Sequence, residues 1–201
     1  MRDELGILKE VGSIAAAHGS IALSEMLGRR INLSIPKVSV VSSGAMAERV
    51  DLKKMGIAIV SNLPTGLKGD AIFLLDENNA FKLIDMSYKI REEDKKSGAF
   101  TEIGISSIKE IGTIVIGSYL CAISLMLKRV VLSLPPTLIS GSVDEIFNLV
   151  LSASGKKNKS LLIEASFKEP QDQIKGGFYL VLTSKAAVEI LKACKKMLKD
   201  L

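Results

Sequence analysis

The chain is poor in the residues that most often carry chemistry. Its 201 residues include no Trp, six Phe, three Tyr, one His and two Cys. So few aromatic side chains leave little surface on which the bases of single-stranded nucleic acid could stack. His18 is the single histidine, and Cys121 and Cys194 stand far apart with no second ligand nearby in the sequence. This pattern argues against a zinc site, a Cys–His nucleophile and a disulfide framework, and it favours a reducing compartment.

A strong charge imbalance is also missing. The net charge of +5 comes from 27 basic and 22 acidic residues, and much of the excess lies in the Lys-rich stretches 156–159 and 192–199. Such stretches are typical of a solvated surface, and an acidic protein partner would suit them as well. A track for nucleic acid would need clustered arginines and aromatic residues, which this sequence lacks. We therefore expect no nucleic-acid partner.

The longest uncharged run in the sequence is at the short edge of what could span a membrane. It begins Met-Arg-Asp-Glu-Leu with no apolar signal core behind it, which favours a cytoplasmic protein. Residues 111–127 are 17 positions without a charge, a length at the short edge of a bilayer span. Their Gly, Ala and Ser content is typical of a helix packed closely in a soluble core. We expect no membrane insertion.

What the chain does contain is an internal duplication. The hexapeptide KEVGSI at 9–14 returns as KEIGTI at 109–114, and 10 of the 28 positions in 9–36 are identical, without a gap, to those in 109–136. The correspondence resumes at the end of each half, where Asp76 matches Thr183 at an offset of 107. A duplicated segment presents its polar groups twice, so a site built there exists in two copies.

Hydrophobic periodicity and turn residues predict similar elements in the two halves. The 47% hydrophobic content is enough for a sizeable core. Asp76 is predicted to cap one helix, Thr183 or Ser184 to cap the last one, and Gly28 to end the first in a left-handed conformation. The first half, 1–88, is predicted to hold helices over 3–27 and 77–88 and strands over 37–42, 56–62 and 69–75. The second half, 100–201, is predicted to hold helices over 100–127, 143–151 and from about 184 to 198, with strands over 137–140, 160–168 and 177–182.

The two halves are expected to form one domain. The charged segment 89–99 is predicted to be the linker between them. Neither half could cover its apolar strands alone, so we predict a single α/β (α+β) domain over residues 1–201. It should have pseudo-twofold symmetry, with strands in one shared sheet and the two long duplicated helices side by side on one face.

Each duplicated helix carries a polar pair. Glu10 lies three residues before Ser13, as Glu110 does before Thr113, and residues three apart share one face of a helix. Between them stands a Gly, at 12 and 112, which costs about 0.5–1 kcal/mol relative to Ala inside a helix. We interpret it as a sign of close approach by the partner helix or by a bound protein. A Glu and a small polar residue on a helix surface are, in general, most often simply solvated.

These residues match a known family pattern. The frame Ser-x3-Glu-x2-Asn-x22-Pro marks the CheC, CheX and FliY phosphatases of chemotaxis, and this chain resembles that family over essentially its whole length. The second copy supplies Ser106, Glu110, Thr113 and Pro136 at the frame's spacing, and the first supplies Gly6, Glu10, Ser13 and Pro36. The segment ALSEMLG at 22–28 also resembles the family.

The resemblance implies a protein that docks on phosphorylated CheY, the response regulator of chemotaxis, and promotes hydrolysis of its aspartyl phosphate. In that family the Glu pairs with the regulator's active-site lysine, and the Asn amide orients the attacking water. The magnesium ion is carried by CheY, so the resemblance implies no cofactor or metal of this chain's own. Catalysis of this kind consists of positioning and electrostatics. The catalytic candidates are Glu10, Ser13, Glu110 and Thr113.

The chain departs from the family where both motif Asn residues are replaced, by Ser13 and Thr113. A hydroxyl has a shorter reach and fewer hydrogen-bonding groups than a carboxamide, which predicts weakened hydrolysis. Glu-x-x-Thr also resembles a pattern in bifunctional sensor kinases, so Glu110 with Thr113 is ranked as the working copy and Glu10 with Ser13 as a weaker or docking copy. The alternative is a binding module without catalysis, which sequesters phosphorylated CheY or binds the receptor deamidase CheD. A flagellar switch role like that of FliY is a third hypothesis, disfavoured because the additional segments of FliY are not seen.

Overall fold

The computed structural model describes residues 4–41, 54–88, 101–153 and 160–197. The first part of the chain forms helix α1 (Glu4–Leu27), strands β1 (Asn32–Leu33), β2 (Lys37–Val41), β3 (Met55–Leu63) and β4 (Gly69–Asp76), and helix α2 (Glu77–Tyr88). The second forms α3 (Glu102–Leu127), β5 (Thr137–Ser142), α4 (Val143–Ala153), β6 (Ser160–Lys168), β7 (Lys175–Thr183) and α5 (Ser184–Met197). The predicted linker 89–99 lies outside the described residues, so the predicted domain division stays a prediction.

All seven described strands join one antiparallel sheet. Its order is β1-β6-β7-β4-β3-β5, and β2 follows β1 along the same edge of β6. Strands are exchanged between the two halves: β1 and β2 pair with β6 of the second half, and β5 pairs with β3 of the first. Because each half borrows a strand from the other, the apolar strands are covered only when both halves are present.

A pseudo-twofold axis passes through the middle of this sheet. At the central β4–β7 pair, Ile72 stands opposite Tyr179, and 72 plus 107 is 179, so the two residues are equivalent positions of the duplication. The flanking strands β3 and β6 correspond at an offset of 104, since Gly56 pairs with Asp76 while Ser160 pairs with Thr183. The predicted pseudo-twofold fold is therefore confirmed.

The long helices α1 and α3 pack against each other on one face of the sheet. Helices α2 and α5 flank them over the same apolar core, whereas α4 covers the opposite face against residues such as Ala58 and Val181. Tyr119 anchors α3 to the sheet, with its ring centroid 6.2 Å from that of Phe178. Burial raises the pKa of the Tyr119 hydroxyl far above its usual range, so this side chain is neutral.

The length and apolar character of α3 are sufficient for a membrane span. Half of its most apolar window is nevertheless buried inside the fold, and the helix packs on α1 and the sheet. A core helix of a globular domain has these same properties.

The predicted helix ends are present where the structure describes them. Gly28 follows α1 with φ of 61°, and the Thr183 hydroxyl accepts from the Ala186 amide, which makes Thr183 rather than Ser184 the cap of α5. Two features were not predicted: the short strand β1 and the cap of α3 by Thr101, whose hydroxyl accepts from the Gly104 amide at 3.1 Å.

Asp76 is the most extensively bonded of these caps. One carboxylate oxygen accepts from the Asn79 amide at 2.7 Å and the other from the Asn79 side chain at 2.6 Å. The Asn79 carbonyl oxygen in turn accepts from the Lys175 amide of the other half at 3.1 Å. We expect Asp76→Ala to lower the free energy of unfolding by about 0.5–2 kcal/mol.

Urea denaturation of Asp76→Ala beside Asn78→Ala tests this cap. Asn78 is exposed in the first turn of the same helix, so its substitution should change stability by less. Equal losses in the two variants would mean that the cap adds nothing.

Candidate functional site

The four catalytic candidates lie on the outer surface of the helical layer. Glu10, Glu110 and Thr113 are exposed and Ser13 is half-buried, while their neighbours Val11 and Ile111 point into the core. The duplicated helices thus turn the same polar pair away from the sheet in both copies. Ser13 is the more enclosed of the two hydroxyl residues. The ranking of the second copy as the working one stays a prediction.

The glycine inside each pair fits against the sheet. A β-carbon on Gly112 would lie 2.5 Å from Cγ1 of Ile59, and one on Gly12 would lie 2.6 Å from Cγ2 of Ile163. Ile59 and Ile163 are equivalent positions at the offset of 104, so each helix rests on a strand of the other half. The interpretation of these glycines as contacts for the partner helix or a bound protein was wrong. Each glycine lets a strand of the sheet come close to the helix backbone. The distance between helix and sheet, and with it the position of the Glu on the helix, is set by this contact.

Gly112→Ala and Gly117→Ala make a matched pair on α3. Overpacking against Ile59 costs about 1–3 kcal/mol, more than the ~0.5–1 kcal/mol that Ala gains over Gly in a helix, so Gly112→Ala should destabilise the fold. A β-carbon on Gly117 would meet nothing within 4 Å, and Gly117→Ala should stabilise it by ~0.5–1 kcal/mol. The midpoint temperature of thermal unfolding, measured for both variants, tests this prediction. A Gly112→Ala variant more stable than the wild type would contradict the close packing against Ile59.

The Thr113 hydroxyl donates to the carbonyl oxygen of Lys109 at 2.6 Å. Its hydrogen is thereby used within its own helix, but the oxygen keeps lone pairs that can accept a hydrogen bond. In this rotamer Thr113 can hold a water molecule by accepting a hydrogen bond from it, and it cannot also donate one to that water. The oxygen is also only one bond from the β-carbon, so it stands close to the helix surface.

A shallow depression adjoins the second polar pair. It is lined by Glu102, Ile103, Ser106, Ser107 and Glu110. Two of these, Ser106 and Glu110, belong to the family frame. The first copy has Gly6 in place of Ser106 and therefore lacks that hydroxyl. The two copies share the Glu but offer a partner different surroundings.

Exposed apolar side chains accompany both pairs. Ile14 and Ile114, the residues directly after the two hydroxyl positions, are 37% and 40% exposed. Further along the same helices, Ile21 and Leu125 are more than half exposed. An exposed isoleucine therefore directly follows the hydroxyl residue of each pair.

The other residues considered in the sequence analysis show no sign of a chemical role. Pro36 is buried against Gly12, where a β-carbon would come within 3.3 Å of it. His18, Lys9 and Lys109 are exposed on the helix surface. Among the residues that the structure describes, no group of three or more His, Cys, Asp or Glu could hold a metal ion.

The chain is similar in sequence or in structure to several chemotaxis proteins. The chain is 26% identical over 151 residues to the CheY-P phosphatase CheC of Bacillus subtilis, covering 75% of this chain and 70% of that protein. The crystal structure of Thermotoga maritima FliY superposes with a TM-score of 0.76 at 20% identity, covering 98% of each chain. The CheX of a CheX–CheY–BeF3–Mg²⁺ complex from Borrelia burgdorferi superposes with a TM-score of 0.55 at 17% identity, over 87% of this chain and 97% of that one. No family model matches the sequence.

These similarities confirm the resemblance found in the sequence. The chain is similar in sequence to CheC and similar in fold to FliY, and in the residues that the structure describes five helices pack on one antiparallel sheet. The roles of Glu10, Ser13, Glu110 and Thr113 stay predictions.

Proposed function

We propose that this chain docks on phosphorylated CheY in the cytoplasm and promotes hydrolysis of its aspartyl phosphate. The observation that carries the proposal is the duplicated Glu and hydroxyl pair on the outer face of α1 and α3, with exposed isoleucines beside it. The sequence similarity to a CheY-P phosphatase and the shared fold with a CheX crystallised on CheY support it.

Glu110 and Glu10 are the docking groups in this proposal. Each carboxylate would pair with the active-site lysine of the regulator, and Ile114 or Ile14 would be covered at the same contact. Gly112 and Gly12 hold each helix against its strand, so the carboxylate is presented from a rigid support. Positioning of this kind lowers the barrier by reducing the entropy lost on reaching the reactive geometry.

Thr113 is the water-orienting group. Its oxygen accepts a hydrogen bond from a water molecule, whose oxygen attacks phosphorus in line with the bond to the aspartyl oxygen. That bond breaks to leave inorganic phosphate and a free carboxylate on CheY. Magnesium and the acylphosphate belong to CheY, so this chain contributes orientation and exclusion of bulk water. The short reach of Thr113 makes the step slower than with an Asn.

One observation favours a second candidate function. The Thr113 hydroxyl hydrogen is donated to the Lys109 carbonyl, and Ser13 is half-buried, so neither copy offers the donor and acceptor set of a carboxamide. A module that binds phosphorylated CheY without hydrolysing it, or that binds CheD, would keep both Glu residues and need no amide.

Binding of the cognate CheY tests the partner that both candidates share. Titration calorimetry with CheY should show tight binding in the presence of Mg²⁺ and BeF3⁻, which mimics the phosphoryl group, and weaker binding in their absence. CheD is titrated in parallel. Equal affinity for both forms of CheY would contradict recognition of the phosphorylated state, and binding to CheD alone would favour the second candidate.

A further inference from the structure

The duplication presents two docking sites, and their spacing limits how they can be used. The central pair Ile72–Tyr179 lies on the pseudo-twofold axis. An axis that exchanges two antiparallel strands and keeps their side chains on the same faces stands perpendicular to the sheet. It therefore relates α1 and α3 on one face as antiparallel helices.

The point where these helices cross can be located along each of them. A β-carbon on Gly19 would lie 3.6 Å from the carbonyl oxygen of Val115. The symmetry-related contact at an offset of 100 joins position 15 to position 119, so the axis passes near positions 17 and 117. Glu10 is seven residues before position 17 (17 − 10), which at the rise of an α-helix is about 10 Å. Glu110 is the same distance from the axis on its other side.

The two carboxylates are thus roughly 20–25 Å apart, counting the ~8–10 Å between packed helix axes. Both stand on the outer surface of the same helical layer, so partners approach them from one side. A compact domain of ~100 residues has a radius of gyration of about 13 Å and an overall diameter of about 35 Å. Two such domains centred on the two motifs would overlap by roughly 10 Å.

We infer that the two docking sites are mutually exclusive, so that one chain holds one phosphorylated regulator at a time, on either Glu10 or Glu110. This inference rests on the proposed function and adds a stoichiometry to it. The second site raises the chance of a productive encounter without allowing a second regulator to be held. Two equivalent exclusive sites bind about twofold more tightly than either alone.

Sedimentation velocity with excess CheY, Mg²⁺ and BeF3⁻ tests the inference, together with calorimetric stoichiometry. We expect one CheY per chain for the wild type, and also for Glu10→Arg and Glu110→Arg, each of which leaves one site intact. The affinity of each single variant should be within a few-fold of the wild type. The double variant should not bind.

Three outcomes are informative in different ways. Two CheY per wild-type chain, falling to one in each single variant, would overturn mutual exclusion and leave the proposed function standing. Loss of binding in one single variant would show that only one site is competent, which also overturns it. A wild-type chain that binds no CheY would instead remove the proposed function.

Discussion

Thr113→Asn is expected to raise the rate of phosphate release from phosphorylated CheY by about 10²-fold. The loss of one well-placed polar group in a comparable charge-stabilising site costs ~2.7–4 kcal/mol, or roughly 10²–10³ in rate. Asn places a carbonyl acceptor one bond further out and adds two donors. It also removes the short bond from the Thr113 hydroxyl to the Lys109 carbonyl, and its longer side chain can reach outward from the helix.

The control for this variant is Thr113→Ala, which removes the hydroxyl and leaves the helix intact. If Thr113 orients the water, Thr113→Ala lowers the accelerated rate to that of CheY alone while binding persists. If the chain is a binding module, Thr113→Ala is silent and Thr113→Asn still gains activity. A Thr113→Asn variant with unchanged rate and unchanged affinity would show that position 113 does not limit hydrolysis.

The double substitution Glu10→Arg with Glu110→Arg is expected to lower the affinity for phosphorylated CheY by more than 100-fold. Each change removes an exposed carboxylate on the motif face and places a cation where the regulator's lysine would approach. Like charges brought together at an interface cost several kcal/mol. Titration with CheY, Mg²⁺ and BeF3⁻ measures the loss.

Asp172→Arg is the control for added positive charge, because it makes the same charge change as each single Glu→Arg substitution, but on the exposed turn between β6 and β7. Its affinity should stay within about twofold of the wild type, since a single exposed charge far from a contact mainly affects association through the long-range field. If the double variant binds as well as Asp172→Arg, the docking surface is not the face of α1 and α3 that carries the motif.

Much of the fold could be predicted from local signals in the sequence. Helix α2 and strand β6 have their predicted bounds, because a cap at Asp76 and a run of apolar β-formers act over a few residues. The offset of 107 found at Asp76 and Thr183 also appears in the register of β4 and β7. Repeats carry this kind of information because equivalent residues occupy equivalent places.

The features that involve the other half could not be predicted in the same way. Exchange of β2 and β5 between halves depends on pairings between residues at least 77 positions apart, as for Val60 and Thr137, which hydrophobic periodicity does not specify. The contacts of Gly12 and Gly112 follow from that exchange, since Ile163 and Ile59 lie on the strands of the opposite half. The sequence did hold one indication of these contacts, because β3 and β6 carry an Ile at equivalent positions, Ile59 and Ile163.

The candidate site likewise has features that the sequence predicts and features that it does not. Helical spacing predicted that each Glu shares a helix face with the hydroxyl residue three positions on, and the structure adds that Glu10 and Glu110 are exposed. The bond from Thr113 to Lys109 depends on a rotamer that spacing does not determine. It is also the detail that bears most on whether the hydroxyl can replace an amide.

The most direct test is the release of inorganic phosphate from the phosphorylated cognate CheY, with Mg²⁺ present and the wild-type chain added in increasing amounts. The proposal predicts a rate above autodephosphorylation that rises and saturates with the chain, and turnover of several CheY molecules per chain when the chain is limiting. No acceleration at a large excess of the chain over CheY would contradict it.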